Sequence, residues 1–216
     1  MNRRAFARNI VTLSCGLASS SLAPAFARDE PESPLDDRAN IIGPRPGFSP
    51  QLGTLVSMLT WMRGPVLRSV QDLDISQLDY LHDAKANTIG ALLLHLAATE
   101  RLYQLHTFEG RKWGDWDGQT KKEWLVPMNL GQPARETIKG NNLRFYLDAL
   151  RKGREKTLKE FGKRDDTWLM QVDSEWPWGP TNNYCKWFHV CEHESHHDGQ
   201  IDWLKGRLPA APKSAD

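Results

Sequence analysis

The sequence is poor in most features that would settle its class at a glance. It has three cysteines in 216 residues, too few for a disulfide framework. No run approaches 18 apolar residues, which excludes a membrane-spanning helix in the mature chain. Neither sign of charge is in excess. The 28 Lys and Arg face 27 Asp and Glu, a net of +1, which argues against a nucleic-acid partner held by bulk positive charge. Alternating strand patterns are almost missing, and there is no internal repeat or low-complexity tract. What is present can build a core, with 39% hydrophobic and 25% charged residues. Nine tryptophans and seven histidines stand out, and four of the histidines fall between His189 and His197.

Residues 1–27 read as an export signal. Arg3, Arg4 and Arg8 precede a mildly apolar stretch from Ile10 to Leu22, and Ala25-Phe26-Ala27 forms a small-x-small cleavage site. The Arg3-Arg4 pair and the weakly apolar middle fit the twin-arginine route, hence a periplasmic or secreted location. Cys15 is not read as a lipid anchor, because Thr12 stands where a large aliphatic residue is expected. Without residues 1–27, 25 basic and 27 acidic residues remain, a net of −2. Residues 28–46, rich in Pro and acid, read as a flexible linker. Residues 47–208 form the folded domain, and 209–216 a disordered tail. Cys185 and Cys191 then remain, six apart on one helix, a rise of about 9 Å. That exceeds disulfide reach, so both are expected as small buried core residues.

The pattern predicts four helices. Phe48, Leu52, Leu55, Leu59, Met62, Val66 and Val70 recur at helical spacing, with Gly64-Pro65 expected to kink or break the helix. Asn87-Thr88 caps a second helix, carried by Ile89, Leu92, Leu93, Leu96 and Tyr103 to about His106. A long loop with Trp113, Trp116 and Trp124 follows. A third helix is expected over Ala134–Phe161 and a fourth over Asn182–Arg207. Trp168–Asp173 is the one stretch expected to pair briefly as a strand. Four helices of roughly 20 to 28 residues around one core read as an all-α four-helix bundle with long Trp-containing loops. Most of those tryptophans are expected to cap the bundle, and some to line a pocket.

His193 and His197, four apart on the last helix, share a face and can converge on one ion. His95 sits in the apolar run Leu92-Leu93-Leu94-His95-Leu96-Ala97-Ala98, where a buried imidazole is either a hydrogen-bonded core residue or an inward ligand. Opposite a histidine pair, the ligand reading is preferred. His189, one turn before His193, lies too far along the axis to join the same ion and is expected beside the site. His196 is expected to face solvent or a neighbouring helix, His106 to lie too far away, and His82 to lie on the surface. The string His193-Glu194-Ser195-His196-His197 also matches the zinc-protease pattern H-E-x-x-H. Its extended form needs Gly and His where Gln200 and Trp203 stand, and no glutamate follows His197, so the match is read as accidental.

Three stretches then resemble the DinB-like superfamily of bacterial four-helix bundles. Val66–Tyr103 carries an Asn-Thr-Ile-Gly step, then an apolar run with one histidine, then a glutamate. Asn142–Phe161 is similar to the family's third helix. Phe188–Leu208 is similar to its H-x-x-x-H-R-G-Q-I last helix. The resemblance implies a DinB-like bundle whose metal is held by His95, His193 and His197. It also implies kinship with transferases and isomerases that use low-molecular-weight, cytoplasmic thiols. Asp198 stands where the family often has arginine, which removes a positive charge beside the site. Gly199 in mid-helix costs roughly 1 kcal/mol relative to alanine, and a close helix approach is the expected reason to keep it.

Two functions follow as expectations. One is a metal-dependent hydrolase or transferase acting on a small molecule, with zinc, nickel, iron or manganese at an open three-histidine site. In that reading Glu100, Glu192 and Glu194 are candidates to relay protons or orient ligands. The alternative is a non-catalytic metal-binding or ligand-binding bundle whose tryptophan loops form the contact surface. A homodimer is left open by the sequence.

Overall fold

The computed structural model describes residues 40–209. The stretch read as an export signal (1–27), most of the stretch read as a linker (28–39 of 28–46) and the expected tail beyond Pro209 lie outside the described residues. Eight helices and one short strand pair are present among the described residues. In chain order they are α1 (Pro50–Val70), α2 (Ile75–Leu78), α3 (Ile89–Thr107), α4 (Gly118–Asn129), α5 (Gly131–Thr137), α6 (Leu143–Phe161), α7 (Asp166–Met170), β1 (Val172–Asp173), β2 (Thr181–Asn182) and α8 (Asn183–Lys205).

Short polar side chains start most of these helices. Thr88, Asp117, Asn142 and Asn182 each accept from a backbone N–H of the first turn of α3, α4, α6 and α8. Each such cap contributes roughly 1 kcal/mol. For α1 the cap comes from elsewhere in the chain. Asp166 of α7 accepts from the backbone N–H groups of Gln51 and Leu52, and from the Ser49 hydroxyl.

The long helices α1, α3, α6 and α8 form the bundle, with α1 against α8 and α3 against both α6 and α8. Two apolar clusters fill it. One joins Val66, Leu92, Leu96, Tyr146, Leu150 and Ile201; the other joins Leu52, Leu59, Tyr103, Phe161 and Trp187. Burying each such side chain contributes roughly 1.5–3 kcal/mol. Along α1 and α8 the second cluster comes first, and along α3 and α6 the first does. The helices therefore run up, down, down, up. The two parallel neighbours α3 and α6 need a crossover, and α4 and α5 supply it.

Several expectations change here. Helix α1 runs through Gly64-Pro65 without a break. The expected long loop before residue 134 contains α4, packed on α3. The expected third helix is two: α5 stops at Thr137 and α6 starts at Leu143. Gly140 at φ +76° ends the path of one, and the Asn142 cap begins the other. The Trp168–Asp173 stretch is half helix and half strand: β1 pairs antiparallel with β2, Val172 opposite Asn182. Cys191 is buried as expected, but Cys185 is exposed, and both are free thiols. Gly199 meets no atom within 4 Å of where a Cβ would stand, so close helix packing is not its role. The tight glycines are Gly53, where a Cβ would come within 2.5 Å of the Arg45 backbone nitrogen, and Gly90, where it would come within 2.6 Å of the Tyr146 hydroxyl.

Candidate metal centre

Three imidazoles meet between α3 and α8. The Nε2 of His193 lies 2.8 Å from Nε2 of His95 and 3.0 Å from Nε2 of His197. One ligand atom from each of the three lies within 4.8 Å of the others. His95 and His197 are buried, and His193 is half-buried.

The remaining ring nitrogens fix which atoms face inward. His95 Nδ1 lies 3.0 Å from the carbonyl oxygen of Pro127. A carbonyl only accepts, so Nδ1 carries the proton and Nε2 keeps its lone pair. That carbonyl lies in the last turn of α4, where the helix supplies no partner of its own. One hydrogen bond thus caps α4 and sets the tautomer of His95. His197 Nδ1 likewise donates to Oε1 of Gln200 at 2.9 Å, while the Gln200 amide nitrogen sits 3.1 Å from His196. Metal-binding histidines characteristically hold their second nitrogen in this way.

Burial, joined by the other imidazoles, holds His193 down to about 3, and burial with His95 beside it holds His197 down to about 4. Burial also lowers His95, against the opposing pull of the Pro127 and Met128 carbonyls. The rings are therefore neutral near pH 7; His95 and His197 present Nε2 lone pairs, and His193 holds between them the Nε2 proton that a bound cation would displace, in a poorly solvated space. A divalent cation suits this donor set. Two nitrogens each ~2.1 Å from one ion lie ~3.0 Å apart at a right angle and ~3.4 Å apart in a tetrahedron. The two separations from His193, 2.8 Å and 3.0 Å, are close to those that two nitrogens sharing one ion would show.

The acidic candidates lie elsewhere. Glu194 accepts from Arg63 at 2.6 Å and from Arg154 at 2.6 Å, and Glu100 from Arg63 at 3.1 Å and Arg154 at 2.9 Å. Thr157 adds a hydroxyl donor to Glu100 at 2.6 Å. This cluster draws on all four long helices and falls between the two apolar clusters on every one of them. It is a structural clamp. Neither carboxylate is free to relay a proton at the histidine centre, and Glu194 cannot serve as the base of an H-E-x-x-H protease. Glu192 is exposed.

Of the remaining residues, His82 departs from expectation. His82 is half-buried, edge-on to Trp203 with ring centroids 4.9 Å apart, rather than a surface residue. Asp198 faces α1, within 3.3 Å of the Ser69 hydroxyl, where burial and the neighbouring Asp202 raise its carboxyl. His189 lies beside His193, ring centroids 5.2 Å apart, outside the group of three. His196 is exposed. His106 joins Lys186 and Asp173 at a separate cavity of about 430 Å³ walled by Trp113, Trp168 and Trp176. There Lys186 pairs with Asp173 and Lys112 with Glu175, so these charges are compensated within the wall.

Sequence reasoning missed Pro127, Gln200, Arg63 and Arg154. Gln200 stood three residues after His197, within one turn. Arg63, set between Leu59 and Val66 in the apolar stripe of α1, was the available sign that a buried carboxylate awaited it. Pro127 gave no sign, because α4 itself was read as loop.

A family model described as Mycothiol-S-transferase matches residues 54–209, more than two thirds of the chain. No curated protein matches the chain.

Proposed function

The chain belongs to the mycothiol-S-transferase family within the DinB-like superfamily, and from that premise we propose that it is a divalent-metal-dependent S-transferase joining a low-molecular-weight thiol to an electrophilic small molecule. The observation that carries this reading is the convergence of the Nε2 atoms of His95, His193 and His197, with the Nδ1 protons of His95 and His197 already committed to Pro127 and Gln200. A divalent ion there supplies a Lewis-acid position that favours the thiolate of a bound thiol over its protonated form. The protein's part would be to hold the ion with three neutral imidazoles from α3 and α8, a ligand count that leaves room for small ligands. Half-buried His193 and His189 and exposed His196 mark where the site meets solvent.

The test has two readouts. Metal per chain is measured on untagged protein, and conjugation of 1-chloro-2,4-dinitrobenzene is followed with mycothiol, glutathione and cysteine. About one ion per chain and metal-dependent turnover with at least one thiol are expected. Metal-loaded protein inert with every thiol would instead favour the non-catalytic metal-binding bundle. Protein that takes up no metal on reconstitution would remove both readings.

The same reading extends to location. Arg3-Arg4, the stretch Ile10–Leu22 and Ala25-Phe26-Ala27 support twin-arginine export of a folded, metal-loaded chain to the periplasm. The expected result is a periplasmic protein beginning near Arg28 by N-terminal sequencing. Replacing Arg3 and Arg4 by lysine is expected to leave uncleaved protein in the cytoplasm, and unchanged cleavage would overturn the route.

A further inference from the structure

The hydrogen on His189 is settled by its neighbour. Tyr103 of α3 is 1% exposed, and its hydroxyl lies 2.9 Å from Nδ1 of His189. No other hydrogen-bond partner of that hydroxyl is seen among the described residues. If Nδ1 carried the proton of a neutral ring, the phenol would have to accept, and its own proton would be stranded in the core. Leaving a buried donor unmade costs more than leaving one acceptor lone pair unused. The phenol therefore donates, and Nε2 of His189 carries the proton. A doubly protonated ring carries a proton on Nε2 as well, so the result does not depend on the charge of His189.

This is the reverse of His95 and His197, which turn an Nε2 lone pair inward. His189 offers an N–H. Its ring packs beside His193, with Trp178 edge-on at 4.9 Å, and its Nε2 has no acceptor among the described residues. Helix α8 thus carries, one turn apart, a ring suited to a cation and a ring suited to what the cation holds.

Resting on the S-transferase reading, we infer that His189 is the hydrogen-bond donor to the sulfur of the thiol bound at the three-histidine centre, and that Tyr103 is the positioning residue fixing its tautomer. A donor to the sulfur favours thiolate over thiol and orients its remaining lone pairs, without any proton having to leave the ring. His189 is then a catalytic residue and not a fourth ligand.

The test uses the full chain loaded with cobalt(II) and titrated with 2-mercaptoethanol, following the thiolate-to-cobalt absorption band. Wild type is compared with His189→Leu, His189→Gln and Tyr103→Phe. All four are expected to hold cobalt equally. His189→Leu is expected to need about tenfold more thiol for half-saturation, the loss of one hydrogen bond to a charged acceptor. Gln supplies an N–H of its own, so His189→Gln is expected to recover most of that loss. Tyr103→Phe keeps the ring but frees its tautomer, and is expected to fall between. Wild-type thiol affinity in His189→Leu would overturn the inference, and so would loss of cobalt in it, which would make His189 a ligand. Wild-type protein that binds cobalt but shows no thiolate band would overturn the S-transferase reading instead. The same four proteins titrated with azide then read the donor alone, where the same ranking supports it and equal affinities overturn it.

Discussion

His193→Ala is expected to abolish metal retention while leaving the fold intact. The substitution removes the ring whose Nε2 lies 2.8 Å and 3.0 Å from the other two, so any ion would keep only two nitrogens. His193 is half-buried and ties down no helix end, so little packing is lost. His95→Ala is a poorer probe, because His95 is buried and also holds the last turn of α4 through Pro127. An ion at a thousandfold excess over its dissociation constant stabilises the folded state by about 4 kcal/mol. Wild-type protein should therefore show a clear rise in Tm on adding metal, and His193→Ala none. Elemental analysis after gel filtration gives the direct count. A variant that still carries one ion per chain and still shifts in Tm would show that the ligand set is wrong.

Glu100→Gln is expected to cost about 3–5 kcal/mol of folding stability, the range for leaving a buried charge uncompensated. The substitution barely alters volume. It leaves the Arg63 and Arg154 guanidiniums, both nearly buried, with Glu194 as their only shared carboxylate. Glu192→Gln, on the exposed face of α8, is expected to change stability by no more than about 0.5 kcal/mol. Urea unfolding of the two variants checks both, and comparable midpoints would show that the four-helix cluster carries no particular weight. The cluster also sets an acid limit. Burial alone would raise the Glu100 carboxyl, but Arg154 and Arg63 outweigh it and hold the group below its usual value. Its stabilisation is therefore complete above the unfolded-state value of about 4.3 and is lost as pH falls through the lower folded value. In Glu100→Gln that part of the acid dependence should disappear.

Grouping Glu100, Glu192 and Glu194 as one set of acidic candidates shows where reading the sequence stops. One step along a helix turns a side chain by about 100°. Glu194 follows His193 immediately, yet it faces Arg63 and Arg154 while His193 faces His95. Glu192, two residues earlier, faces solvent. Periodicity gives the relative angle of these three, but not which angle points at charge, metal or water.

The bundle and the histidine trio were legible because each rests on a local rule. Apolar residues at three- and four-residue spacing marked α1, α3, α6 and α8, and the Asn87-Thr88 cap fixed where α3 starts. An imidazole in the apolar run of α3 had to find a partner inside, and an i, i+4 pair on α8 offered one. Helix α4 was hidden because, with Gly118 at its start, Pro127 near its end and a polar run between them, it shows no apolar stripe. Its existence depends on packing against α3 and on His95 holding its last turn.

By itself, then, the sequence determined the four rods, the starts of α3 and α8 and the three rings able to share an ion, since spacing along a helix fixes which side chains lie on one face. Only the tertiary structure decided the proton on each ring, the acceptors Pro127 and Gln200 that place it, and the sealing of Glu100 and Glu194 between two arginines. Those outcomes depend on which groups from distant segments come within hydrogen-bonding range in a poorly solvated interior, and spacing along one helix carries no record of that.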